Sequence, residues 1–182
     1  SVERGAIADG NVENPDQVAE ALARALRRMG TRTREAALAL PSSAVITKRI
    51  ALPAGLGEED YELQVESEAS QYIPFAIDEV NLDFQILGPN PNSPDENDVL
   101  IAAAKKDKVE ERVAAIEAAG LKAVIVDIES HASRLAANRL IEALPNQGID
   151  TMVALFEIGG LTTSMQVIRN DEVLYDRDQA FG

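Results

Sequence analysis

Apolar residues along this chain fall into short blocks, and their spacing changes from block to block. Residues 5–8 (Gly-Ala-Ile-Ala) form a short apolar stretch before the Asp9-Gly10 turn signal, and predict one small strand. Asn14-Pro15 then opens a helix: Asn caps it, and Pro at the first helical position loses no hydrogen bond. Val18, Leu22, Leu26 and Met29 follow on one helical face, and Arg27 and Arg28 suit the negative end of the dipole before Gly30. Residues 36–40 run apolar without alternation up to Pro41, which predicts a strand covered on both faces. Residues 44–52 read as a second strand ending at Pro53. Helical spacing returns from Glu58 to Tyr72 and stops at Pro74.

Val80, Leu82, Phe84 and Ile86 alternate with Asn81, Asp83 and Gln85, the signature of a half-buried strand. Residues 88–97, polar with three Pro, predict a mobile loop. Strands at 99–104 and 121–128 and helices at 106–119 and 130–144 follow. An apolar strand at 151–158 precedes a hairpin of 163–169 with 172–176 across Asn170-Asp171. This order of βα units and hairpins predicts an α/β domain carrying an α+β insertion.

Composition narrows the function. Asp and Glu number 31 against 17 Lys and Arg, a formal charge of −14. Nucleic acid and anionic lipid both select clustered positive charge, so neither is an expected partner. No apolar run reaches the length of a membrane helix. There is no Cys and one His, His131, which removes thiolate chemistry and His-cluster metal sites.

Two segments are candidates for recognition. Glu157-Ile158-Gly159-Gly160-Leu161-Thr162-Thr163-Ser164 joins two strands. Its glycines could let backbone N–H groups approach an anion, Thr162 and Thr163 add hydroxyl donors, and Glu157 could orient a hydrated Mg²⁺. The same residues also make an ordinary hairpin turn with Gly at a positive φ. Tyr72, Ile73, Pro74 and Phe75 either plug the core where a helix meets a sheet or wall a groove in which a peptide lies. No carboxylate pair, nucleophile motif or metal-ligand cluster nominates a catalytic residue.

Several stretches taken together resemble the PilM family, actin-like proteins of type IV pilus assembly that are similar to the cell-division protein FtsA. These are Ile7-Ala8-Asp9-Gly10-Asn11, Tyr72-Ile73-Pro74-Phe75 with Val80-Asn81-Leu82-Asp83-Phe84-Gln85, Val126-Asp127-Ile128-Glu129-Ser130, and the Glu157–Ser164 turn. The resemblance implies an actin-like (ribonuclease H-like) lobe I. Residues 1–46 and 122–182 would form subdomain 1A, and residues 47–121 an inserted α+β subdomain, 1C. It further implies a scaffold in the bacterial cytoplasm, held at the inner-membrane face through the N-terminal tail of a PilN-type protein. That tail would lie in the groove between the two subdomains, and the negative net charge would steer a basic juxtamembrane segment toward it.

The resemblance also implies ATP with Mg in the intact protein, on Glu157, Gly159, Gly160, Thr162 and Thr163. The family's first phosphate hairpin, Asp-x-Gly, and its second lobe have no counterpart here. The chain therefore reads as an excerpt, expected to hold no nucleotide tightly and to show either self-association through the face left open or disorder around 159–182. Glu157 stands where the second phosphate loop usually has Asp, and its longer arm shifts the carboxylate by about 1.5 Å, which weighs against catalysis. The alternatives are an actin-like ATPase whose turnover drives assembly and an FtsA-like division adaptor. A sugar-kinase-like enzyme is disfavoured, since no catalytic Asp motif can be placed.

Overall fold

The computed structural model describes every residue except Ser1, Arg4, Asp9, Leu161, Asp171, Phe181 and Gly182. Its elements run β1 (Ile7–Ala8), β2 (Asn11–Val12), α1 (Pro15–Met29), β3 (Glu35–Leu40), β4 (Val45–Pro53), α2 (Glu58–Tyr72), β5 (Val80–Asn90), β6 (Ser93–Lys105), α3 (Lys106–Ala118), β7 (Lys122–Ile128), α4 (Glu129–Ile141), β8 (Val153–Ile158), β9 (Thr163–Arg169) and β10 (Glu172–Gln179). They divide into two compact units: Ser1–Ser43 with Ala114–Gly182, and Ala44–Val113.

In the first unit, β1 and β2 pair antiparallel, where the apolar pattern predicts one strand only. The partner strand is Asn11–Val12, too polar and short to register as a strand. Asp9 of the expected turn lies outside the described residues. Helix α1 keeps its predicted ends: the Gln17 N–H donates to Asn14 Oδ1 at 3.1 Å, and Gly30 closes the helix at φ 65°.

Strands β3 and β7 pair in parallel, Ala36 with Ala123 and Leu40 with Ile128. The cover on both faces expected of β3 is not there. Among the described residues these strands ladder only with each other, and α4 packs against both. Leu40 and Ile128 are buried at the end of the ladder, while Ala37 and Val124 to Val126 are exposed. A continuous apolar run is compatible with two covered faces, but it does not supply the covering elements.

Strands β8, β9 and β10 form a separate antiparallel sheet in the order β10-β9-β8. Helix α4 ends at Ile141 rather than at Leu144. The chain beyond it tightens into i→i+3 bonds, with the Ala143 N–H on Leu140 O and the Leu144 N–H on Ile141 O, ahead of Pro145. Asp150 then ties this connection to the β9–β10 turn. Its N–H donates to Asn170 Oδ1 at 2.7 Å, and its carboxylate accepts from Arg169 at 3.0 Å and Asn170 at 3.1 Å. The bond from Asn170, then the bond from and charge of Arg169, hold the Asp150 carboxyl below its ordinary pKa. Asp171 of that turn is outside the described residues.

The second unit is a three-stranded antiparallel sheet, β4-β6-β5, packed against α2. Val65 (1% exposed) and Ala69 from α2 meet Leu52, Val80, Val99 (0%) and Ile101 from the strands. Buried Tyr61 donates its hydroxyl to Pro53 O at 3.0 Å, accepts the Asn97 side-chain N–H at 2.8 Å, and stacks on Phe84 with 6.3 Å between ring centroids.

The mobile loop expected at 88–97 is instead the ordered tip of the β5–β6 hairpin. Asn90 organises it: Oδ1 accepts the Asn92 N–H and Nδ2 donates to Asp98, both at 2.8 Å. Pro89 lies on edge strand β5, where a missing N–H is tolerated. Pro94 falls where the register shifts between Pro89 and Asn90. Polar and Pro-rich composition reads as a loop; here the same side chains build the turn.

Candidate functional site: a hydroxyl-lined cleft and an aromatic wall

Register decides which turn residues of the first unit can act together. Glu157 pairs with Ser164 and Leu155 with Gln166, so these four side chains share one sheet face. On that face Ser133 of α4 donates its hydroxyl to Glu157 Oε2 at 2.6 Å. Ser42, Ser130 and Thr162 also line this small cleft, whose volume is about 60 Å³. Gln166 lines it while only 3% exposed. Its Nε2 donates to Ser130 O at 3.2 Å and Asp176 at 3.4 Å, and its buried Oε1 has no hydrogen-bond partner.

The structure brings three of the five expected cofactor residues to this cleft: Glu157, Gly159 and Thr162. Gly160 and Thr163 do not line it. Thr163 alternates with Ser164 along β9 and so takes the other face, where its buried Oγ1 also lacks a partner. Of the two glycines, Gly159 has a neighbour that a side chain would meet, and Gly160 has none among the described residues. Neither has a positive φ. Gly159 donates its N–H to Thr162 O at 2.9 Å, and a Cβ there would stand 2.9 Å from the same oxygen. Gly159 is therefore required by a close backbone approach, and its N–H is already engaged.

Glu129 and Glu157 are the charged residues of the lining, which has no Lys, Arg or His among the described residues. Carboxylate and hydroxyl oxygens suit a hydrated Mg²⁺, and hydroxyl donors suit a phosphate whose charge that ion offsets. A bare anion fits poorly beside two carboxylates. Among the described residues no cluster of three or more His, Asp or Glu makes a metal site by itself. His131 does not line the cleft.

The tetrapeptide 72–75 divides between core and surface. Ile73 is 7% exposed and belongs to the core of the second unit, so it is unavailable to a partner. Phe75 is half-buried against that core. Tyr72 is 46% exposed and Pro74 is exposed. Lys48 of β4 places its ammonium 4.9 Å from the Tyr72 ring centroid, and Lys105 of β6 stands 4.1 Å from that of Phe75.

Sequence reasoning misses Ser42, Ser130, Ser133 and Gln166 in the cleft and both lysines at the wall, and it includes Ser164 in the candidate turn without giving it a role. Alternation along 163–169 could put Ser164 and Gln166 beside Glu157. Nothing in the sequence marks Ser133 or Lys48.

Among the described residues no helix is long and apolar enough to cross a membrane. A family model described as "Type IV pilus assembly protein PilM" matches residues 1–182. A chain of a solved structure titled "PilM-PilN type IV pilus biogenesis complex" is similar at 30% identity and a TM-score of 0.81, over 98% of this chain and 52% of that one. The cytoplasmic domain of EpsL, an inner-membrane component of the type II secretion system of Vibrio cholerae, shares the fold at 14% identity and a TM-score of 0.52, over 89% of this chain and 56% of that one. The chain thus spans about half the length of these two structures, and its mixed α/β fold is theirs. Matched by the family model from its first residue to its last, it belongs to the PilM family of type IV pilus assembly proteins.

Proposed function

We propose that this chain is a scaffold of type IV pilus assembly that binds the N-terminal tail of a PilN-type inner-membrane protein, and so works at the cytoplasmic face of that membrane. The observation that carries this reading is its 30% identity, over 98% of its length, to a chain of the PilM–PilN complex. Tyr72 and Pro74, with the edge of Phe75, are the proposed contacts of the tail. An exposed ring beside a fixed kink offers apolar area at low entropic cost.

The hydroxyl-lined cleft is proposed as part of a nucleotide site. Glu157 would hold the waters of a Mg²⁺, and Thr162, Ser164 and Ser42 would donate to phosphate oxygens. A Mg²⁺ held there would supply charge neutralisation. We assign the cleft to binding and not to turnover. Among the described residues its lining offers no cationic side chain to a departing phosphate, and the Glu157 carboxylate is already hydrogen-bonded to Ser133.

The test has two arms. A synthetic PilN-type tail peptide should bind this chain without nucleotide, and Tyr72→Ala should weaken it by about 1–3 kcal/mol while circular dichroism stays unchanged. Equal affinity for wild type and variant would remove Tyr72 from the interface. With Mg-ATP, phosphate release should stay at the buffer background, and release above it would make the protein an ATPase.

A further inference from the structure

We infer that the Tyr72–Phe75 wall prefers a partner segment that places a carboxylate beside it over one that places a basic side chain there. The inference rests on the wall being the partner site. It departs from what net charge alone suggests, since the whole chain, at −14, attracts basic segments.

The charges held against the two rings themselves are positive. Lys48 lies on β4 opposite Ile101, and Lys105 lies on β6 opposite Val80. By alternation both project from the sheet face that carries Ile50, Val99 and Ile101, the face covered by α2. Each ammonium is held against a ring, at 4.9 Å from Tyr72 and 4.1 Å from Phe75. Lys106 is fixed nearby, donating to Asp78 O at 2.8 Å, and that neutral carbonyl leaves its charge intact. Asp78 and Glu79 follow the wall in sequence, but neither carboxylate pairs with Lys48, Lys105 or Lys106.

The ring face that holds an ammonium is closed to a second cation, and a Lys or Arg arriving on that side would meet like charge. A carboxylate beside an apolar side chain would rest its apolar part on Tyr72 and Pro74 and reach Lys48 with its charge. At a partly exposed site each such pair is modest in strength, so the effect should appear as selection among segments more than as raw affinity.

The experiment is a charge scan. Each position of a PilN-type tail peptide is replaced in turn by Glu and by Lys, and affinity for the chain is read by fluorescence anisotropy at low salt. At one or more positions Glu should bind tighter than Lys, by about fivefold. Lys48→Glu should invert that preference, and Lys48→Met should flatten it without inverting it. The inference is overturned if no position shows this sign, or if Lys48→Glu leaves the ranking as it was. If Tyr72→Ala leaves every peptide's affinity unchanged, the wall reading itself fails and takes the selection with it. If Tyr72→Ala weakens all peptides while the Lys48 variants change nothing, the wall stands and only its selectivity is lost.

Discussion

Tyr61→Ala should be the most damaging single truncation in the second unit, costing about 3–5 kcal/mol. The ring is 3% exposed and stacks on Phe84, so its removal leaves a cavity where α2 meets the sheet. The hydroxyl adds a separate loss, because Pro53 O and the Asn97 side chain both rely on it. Tyr61→Phe keeps the ring and strands those two groups, which should cost about 1–2 kcal/mol. Urea denaturation of the two variants separates the contributions. Equal losses would mean that the ring itself matters little.

Gly148→Ala should destabilise the first unit by about 3 kcal/mol, from two sources that add. Gly148 sits at φ +72°, a conformation that resists any side chain. A Cβ there would also stand 2.6 Å from Ile141 Cγ2 and 3.0 Å from the Ile141 carbonyl oxygen. The side chain can swing away, but the carbonyl of the helix end cannot. Adding Ile141→Ala to Gly148→Ala should therefore recover only part of the loss. A melting temperature equal to that of wild type for Gly148→Ala alone would show that the turn after α4 relaxes at no cost.

Local pattern makes the helices and most strands legible in the sequence. Asn14, Pro15 and Gly30 mark the ends of α1 by chemistry that acts within a few residues, and the alternation from Val80 to Phe84 needs only a sheet with one face covered. Long-range facts are not legible in the same way. Whether β3 is covered on two faces depends on what packs there, which its five apolar residues cannot encode. The hairpin tip at 88–97 has the composition of a mobile loop, because the bond from Asn90 to Asp98 joins residues whose proximity only the register establishes. The cleft is half legible for the same reason. The Glu157–Thr162 turn is contiguous and reads as a site, whereas Ser133 reaches Glu157 across 24 positions of sequence. Ile73 groups with its exposed neighbours because a four-residue apolar run does not say which member turns inward.

The parallel β3–β7 ladder has a consequence for the order in which the chain can fold. Its two strands are separated by roughly 80 residues of sequence, and closing so long a loop carries an entropic cost that grows with loop length. All of the second unit lies within that loop, and its sheet brings Val45 opposite Ala104. Once β4 and β6 have paired, the loop left for β3 and β7 to close shrinks to roughly 20 residues. Two halvings of length relieve about 1 kcal/mol of closure entropy. The insertion would thus act as a splint: it folds on contacts of shorter range and delivers the ends of β3 and β7 toward each other. Pulse-labelled hydrogen exchange during refolding should protect the amides of residues 99–104 before those of 122–128. The reverse order would mean that the parallel pair forms without help from the segment it encloses.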